Sequence, residues 1–367
     1  MLKTSLILSC CLALTSLGFS HAGPPVVISA GQGDRAPRQP RIAIAEDGRI
    51  FAAFGIGEEV WIATSDAAGQ SFTEARRIAH VPKLALGMRR GPRITVSGKA
   101  LTVSVISHQT GSLIAWTSED WGGHWSDGVV VNTVPRSARE GLHAMANGPD
   151  GSVFLVWLDL RSGTTEVYIS KSEDHGKSWS ENSLVYRSPS GSVCECCHPS
   201  ITVGRDGRVR VMWRNLIQGQ RDMYIAESVD GLEFGEAQKL GIGNWTLPAC
   251  PMDGGDLAVT GEGKNAAVWR RNKTVYLTTD QMRFEKTIQD GEQPVIACDG
   301  NDPWILWLKS RGGSLQASGP MGILEAPLST NANDPVICAG GGEPKVVAAW
   351  EDASGDTVRL LMQTLNR

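Results

Sequence analysis

Three stretches of this chain spell nearly the same eight letters. They are Ser118-Glu119-Asp120-Trp121-Gly122-Gly123-His124-Trp125, Ser172-Glu173-Asp174-His175-Gly176-Lys177-Ser178-Trp179 and the looser Ser65-Asp66-Ala67-Ala68-Gly69-Gln70-Ser71-Phe72. Each follows an alternating apolar run, at 60–64, 113–117 and 167–171, and precedes another short strand, so the eight letters read as a hairpin turn. In such a turn the Asp accepts backbone N–H bonds, the Gly takes positive φ and the aromatic residue packs back beneath the sheet. A ladder of copies at similar spacing constrains the chain to a repeat architecture and leaves its chemistry open.

A second periodicity runs through the same units. Gln39-Pro40-Arg41-Ile42, Gly91-Pro92-Arg93-Ile94, His198-Pro199-Ser200-Ile201, Gln293-Pro294-Val295-Ile296 and Asp334-Pro335-Val336-Ile337 each open an apolar strand. Each leads through a Gly-containing turn into a second strand, and second strands end on Phe54, Trp157, Trp213, Trp269, Trp307 and Trp350. The eight-letter turns resemble the Asp-box, or BNR repeat, of the sialidase-like β-propeller superfamily. The resemblance implies an all-β ring of four-stranded antiparallel blades. Unit starts at 40, 92, 142, 199, 255, 294 and 335 favour seven blades. Six, the sialidase number, is the alternative, because the last three units are short. The final unit lacks an outer strand, which Val26-Val27-Ile28-Ser29 would supply, closing the ring and removing its exposed edges.

A chain of 367 residues would ordinarily suggest two domains, but no linker or low-complexity stretch interrupts this one, and repeats hold one body at this size. Residues 1–22 read as a secretion signal: Lys3 is the charged start, 6–19 the apolar core and Ser20-His21-Ala22 the cleavage site. A lipobox reading through Cys10 is the alternative. The apolar core is too short to span a bilayer, which needs ~20 apolar residues. The expected product is a propeller over 23–367, periplasmic or secreted and not membrane-spanning. It carries 34 basic against 39 acidic residues, a net charge of about −5, which argues against nucleic acid as a partner.

That compartment gives the cysteines their weight. Six remain after the leader: Cys194, Cys196, Cys197, Cys250, Cys298 and Cys338. In an oxidising space an even set defaults to disulfides. Cys298 and Cys338 end inner strands of neighbouring units and are expected to pair. Cys194 and Cys250 stand at equivalent positions of the fourth and fifth units and form a second candidate pair. Three cysteines within four residues cannot all pair locally, because a disulfide wants Cα atoms ~5.5 Å apart. Either a double disulfide staple forms or the cluster is a soft-metal site. For the latter Cys196, Cys197, His198, Cys250 and Met252 offer ligands suited to copper, as Cu(I), or zinc. The run Cys194-Glu195-Cys196-Cys197-His198 with the later Cys250-Pro251 resembles the C-x-C-C pattern of a bacterial subgroup of sialidase-like propellers, which implies membership and no mechanism.

The sialidase resemblance also implies a catalytic apparatus: an R-I-P motif on the first inner strand, three arginines clamping a carboxylate, a Tyr–Glu nucleophile pair and an Asp acid/base. Arg38-Gln39-Pro40, followed by Arg41-Ile42-Ala43-Ile44 and the Asp47-Gly48 turn, is similar to the first of these, with Arg38 as first clamp arginine and Glu140 similar to the catalytic Glu. Arg161 and Arg214 are candidates for the other clamps or strand-end structural charges. The nucleophile is missing. Tyr168, Tyr224 and Tyr276 fall mid-strand and Tyr186 on an outer strand. Around the expected mouth, Arg38, Arg90, Glu140, Asp253 and Glu292 form a polar ring suited to a small polar, anionic or glycan ligand. The leading expectation is a propeller binding a ligand or soft metal at its mouth without sialidase turnover. The alternatives are an exo-α-sialidase-type glycoside hydrolase using Arg38 and Glu140, and a scaffold for a protein partner.

Overall fold

The structure, a computed structural model, describes residues 24–279, 284–341 and 345–365, so the expected leader lies outside the described residues. Among the described residues the one helical element is a 3₁₀ turn at Gly33–Arg35, and no helix is long and apolar enough to cross a membrane. The fold is an all-β propeller. Five four-stranded antiparallel sheets follow in chain order, their innermost strands at Arg38–Ile44, Arg93–Ser97, His143–Asn147, Ser200–Val203 and Asp256–Val259. The remaining strands join one eight-stranded sheet.

In that larger sheet the strand Ser329–Gly340 serves twice. Its first residues pair with Gly313–Gly319 (Leu315 opposite Ser329), and from Ala332 onward it pairs with Lys345–Ser354. One strand is thus the outer edge of one unit and the inner strand of the next, which is why these units look short in sequence. The innermost strands neighbour one another around a ring, the last two being Glu292–Asp299 and Ser329–Gly340, and the latter returns to Arg38–Ile44. Val26–Gln32 pairs antiparallel with Thr357–Leu365, so a strand from the start of the propeller completes the sheet at its end.

The second strands carry the core. Phe54, Trp157, Trp213, Trp307 and Trp350 are fully buried, each at the end of a second strand or one turn before it. Inner strands leave the mouth of the channel, second strands return to it and third strands leave again, so the Asp-box turns lie on the opposite face. There each box leans on the preceding sheet. Trp121 stacks on Phe51 with centroids 5.8 Å apart beneath the Arg49 guanidinium, and the His175 carbonyl accepts bonds from Thr102 and Thr117 at 2.7 and 2.8 Å. The predicted Asp roles hold: Asp120 accepts the His124 N–H and Asp174 the Ser178 N–H, both at 2.8 Å. A fourth box went unread in the sequence. Ser228-Val229-Asp230-Gly231-Leu232-Glu233-Phe234 is one residue shorter but makes the same bonds, Ser228 Oγ to Asp230 and Gly231 N–H to Ser228 Oγ, each at 2.8 Å.

Ring closure by Val26–Gln32 buries Ile28 to 5 % exposure among Ile42, Phe54, Val347 and Met362. Ile28→Ala should cost ~2–4 kcal/mol by leaving a cavity between the first and last sheets. Deleting residues 24–32 should lower the melting temperature further, and a truncated protein melting with its parent in calorimetry would contradict the closure.

Candidate functional site

The loop between the third and fourth sheets builds a cluster of three thiols. The Cys194 N–H donates to the Arg214 carbonyl at 2.9 Å and the Cys197 N–H to the Cys194 carbonyl at 3.3 Å, folding the segment into a tight turn. The turn turns three side chains inward. Cys194 Sγ lies 3.4 Å from Cys197 Sγ and 3.8 Å from Cys196 Sγ, and all three residues are buried. Met252 packs against the cluster. Arg221 brings Nη1 to 3.0 Å from Cys194 Sγ while its Nε donates to the Leu247 carbonyl. Contacts from the other two thiols, helped by Arg214 and Arg221, hold the Cys194 thiol far below the ordinary thiol range. The partner thiols move the other way: Cys196 is raised by its contact with Cys194, Cys197 chiefly by burial. The lowered thiol is the one that faces the Arg221 guanidinium.

This cluster differs from the ligand set expected from sequence. Cys196 and Cys197 take part and Met252 stands beside them, but Cys194 completes the group rather than Cys250 or His198. Cys250 is exposed, within electrostatic reach of Arg221. His198 is buried and faces the central channel, where Gly254 gives it room: a Cβ there would stand 2.7 Å from the ring Nδ1. All six described cysteines are free thiols. The expected pairs are not formed: Cys194 is held among its loop neighbours, while Cys298 packs beside Ile296 and Cys338 beside Ile44, in separate apolar clusters.

Around the mouth the polar ring resolves into local ion pairs. Arg38, its side chain 47 % exposed, meets buried Glu351 at 3.2 Å. Half-buried Arg90 donates to the Glu140 carbonyl at 2.8 Å, and burial together with Glu195 raises the Glu140 carboxyl. Arg270 contacts both Asp253 and Glu292 at 3.0 Å, and the Arg311 N–H donates to Glu292 at 2.8 Å. Asp253 was expected to bind ligand, but it has no exposed surface; it receives Arg270 and the Gln293 N–H and so holds the mouth from beneath. Arg161 belongs to its own sheet, paired with buried Asp159 at 2.9 Å and lying over the Tyr168 ring. Arg214 is fully buried and donates to the carbonyls of Asp253, Arg221 and Arg270. All four tyrosines lie on third or fourth strands.

Arg270 and Glu351 were missed in the sequence, though a signal existed. Each directly follows the Trp that ends a second strand, as Arg214 does, and this register carries a side chain to the mouth beside an X-Pro bulge. Deeper in, the channel widens into a cavity of about 170 Å³ whose lining includes Arg41, Arg89, Arg93, His198 and Asp256.

No family model matches the chain, and no curated protein matches it. Solved structures do. An α-L-arabinofuranosidase of Fusarium graminearum, in complex with an iminosugar inhibitor, is 11% identical over 94% of this chain and 98% of its own, with a TM-score of 0.55. The polysaccharide lyase Uly1 is 12% identical over 90% of both chains, TM-score 0.57. The intramolecular trans-sialidase of Ruminococcus gnavus is 10% identical over 92% of this chain and 96% of its own, TM-score 0.52. The chain shares the β-propeller fold of these structures. At these identities the likeness is one of architecture.

Burial, with Asp334 adding to it, pushes Glu351 up from 4.5 to about 7, against the pull of the Gln39 N–H and Arg38. A raised carboxyl favours the folded state while protonated, so this contribution is full below its ordinary range and is lost as pH rises toward 7. Glu351→Gln keeps an acceptor for Gln39 and removes the titration. Urea unfolding should show the parent losing stability between pH 5 and 8 and the variant losing less.

Proposed function

We propose that this protein is a periplasmic or secreted propeller that binds one soft metal ion, Cu(I), through Cys194, Cys196 and Cys197. The observation that carries the reading is the close approach of three buried sulfurs, all within 4.8 Å of one another and none in a disulfide. Soft thiolates select Cu(I), zinc and iron–sulfur clusters; structural zinc takes four ligands, while a three-sulfur set suits the smaller coordination of Cu(I). Three thiolates around Cu(I) leave two negative charges, and Arg221 and Arg214 stand beside them to offset these. Met252 supplies a thioether next to the group. A ring of seven blades is the count that the order of innermost strands supports.

Metal binding must displace the thiol protons, so affinity should fall as pH falls. Protein purified anaerobically and titrated with Cu(I) under a competing chelator should retain about one copper per chain, with three thiols protected from alkylation. Cys194→Ser should weaken retention at least ~100-fold, whereas Cys298→Ser should leave it unchanged. Alkylation indifferent to Cu(I), or intact mass showing the three loop cysteines oxidised in protein from its native compartment, would overturn the reading.

The glycan-active neighbours support a second reading of the mouth as a glycan-binding surface around Arg38, Arg90, Glu140 and Glu292. With no tyrosine on an inner strand to act as nucleophile, an aryl sialoside should turn over far more slowly than ~1 s⁻¹. Faster hydrolysis, lost on both Arg38→Ala and Glu140→Gln, would favour the hydrolase.

A further inference from the structure

The channel cavity carries chemistry that neither the thiol cluster nor the mouth uses. Arg89 comes from the loop before the second inner strand with φ +65° and reaches across the channel to donate Nη1 to the Pro335 carbonyl at 2.7 Å. It is 2 % exposed, yet its Nε has no partner. His198, 6 % exposed on the same cavity, leaves Nδ1 without a partner. Arg41 also lines it, and burial with the nearby Arg89 guanidinium lowers it to about 9. Arg93 differs from these. All three of its nitrogens already donate, to the carbonyls of Arg89, Arg90, Gly91, Pro92 and His143.

Asp256 and Asp334 stand near Arg41 and Arg93, and buried Asp253, which pairs with Arg270, also stands near Arg89. Asp256 is occupied, accepting the backbone N–H groups of Leu257 and Ile296 at 3.0 Å. Asp334 is not: it stands against Arg41 and Arg89, and its buried Oδ1 has no partner. Unsatisfied donors line this cavity, and the unsatisfied acceptor lies in an adjoining crevice that shares Arg41 and Arg89 with it; such groups are costly unless something pairs them. Water could occupy about 170 Å³, far above the ~10–15 Å³ that one molecule requires. Water lacks the paired acceptor oxygens that a guanidinium fork matches.

We infer that the channel binds a small oxoanion that retains a proton, hydrogen phosphate being the simplest, with Arg41, Arg89 and His198 donating to its oxygens and Asp334 accepting from its hydroxyl. A guanidinium matches the edge of such an anion with two parallel bonds. Sulfate, fully ionised at neutral pH, offers Asp334 no proton and places two negative groups in contact. The site therefore prefers phosphate on chemical grounds. It is independent of copper and lies deeper than the ring through which a glycan would bind.

Isothermal titration of the full propeller at pH 7 with inorganic phosphate, and separately with sulfate, tests this. Phosphate should bind saturably and at least ~10-fold tighter than sulfate, and Arg41→Gln should weaken it at least ~10-fold, the scale of one charge-assisted bond. Arg41→Lys keeps the charge without the fork and should fall between, which separates lost recognition from lost folding. Asp334→Asn, tolerated at φ +44° because Asn accepts left-handed backbone, should erase the preference over sulfate. Arg77→Gln, at the surface beside Glu59, should change nothing. No saturable phosphate binding, equal binding of sulfate by the parent, or full affinity in Arg41→Gln would each overturn the proposal.

Discussion

The mouth of this propeller hangs on a buried carboxylate meeting a backbone N–H across a boundary between units. At Gln39 and Gln293 the inner strand bulges ahead of a proline, with φ +52° at both, and the register slips there. A left-handed residue before proline is uncommon backbone, held where the surroundings over-determine it. Glu351 accepts the Gln39 N–H at 2.5 Å from the last unit, and Asp253 accepts that of Gln293 at 2.9 Å from the neighbouring one. These contacts set where the next residues point. Because the strand bulges at Gln39-Pro40, Arg38 reaches the rim while Arg41 faces the channel.

The architecture was legible because its signals are local. A Ser-x-Asp turn closes on itself within eight residues, and a Trp at a strand end buries itself whatever its neighbours do. The mouth was half legible for the opposite reason. Asp253 stands in register with Arg38 and Glu140, and sequence alone cannot tell a carboxylate aimed at solvent from one drawn under Arg270 by a bulge forty residues away. The cysteine loop shows the same limit. Aligning Cys194 with Cys250 across two units was sound as a register argument, but the Cys194–Cys197 turn spends that register locally and leaves Cys250 outside.

The thiol cluster and the channel each place a cation beside groups that are costly to leave unpaired. At the thiols Arg221 faces the sulfur whose thiol is lowered; in the channel Arg89 keeps an unpartnered buried Nε. Arg214 links the two regions, since its carbonyl holds Cys194 while its guanidinium fixes the Asp253 backbone at the mouth. Rigid carbonyl anchoring of this kind keeps charged side chains in one geometry before any ligand arrives.

The pairing of Val26–Gln32 with Thr357–Leu365 also shapes how the chain must assemble. Gln32 and Thr357 touch through side chains 325 positions apart, and the shared strand Ser329–Gly340 welds the last two units into one sheet. Contacts at this separation are among the slowest to form. During synthesis the leading strand therefore waits as an open edge until nearly the whole chain has been made. An interval of that length exposes the waiting strand to wrong partners, so crowding at the site of folding should lower the yield of closed rings more than their final stability.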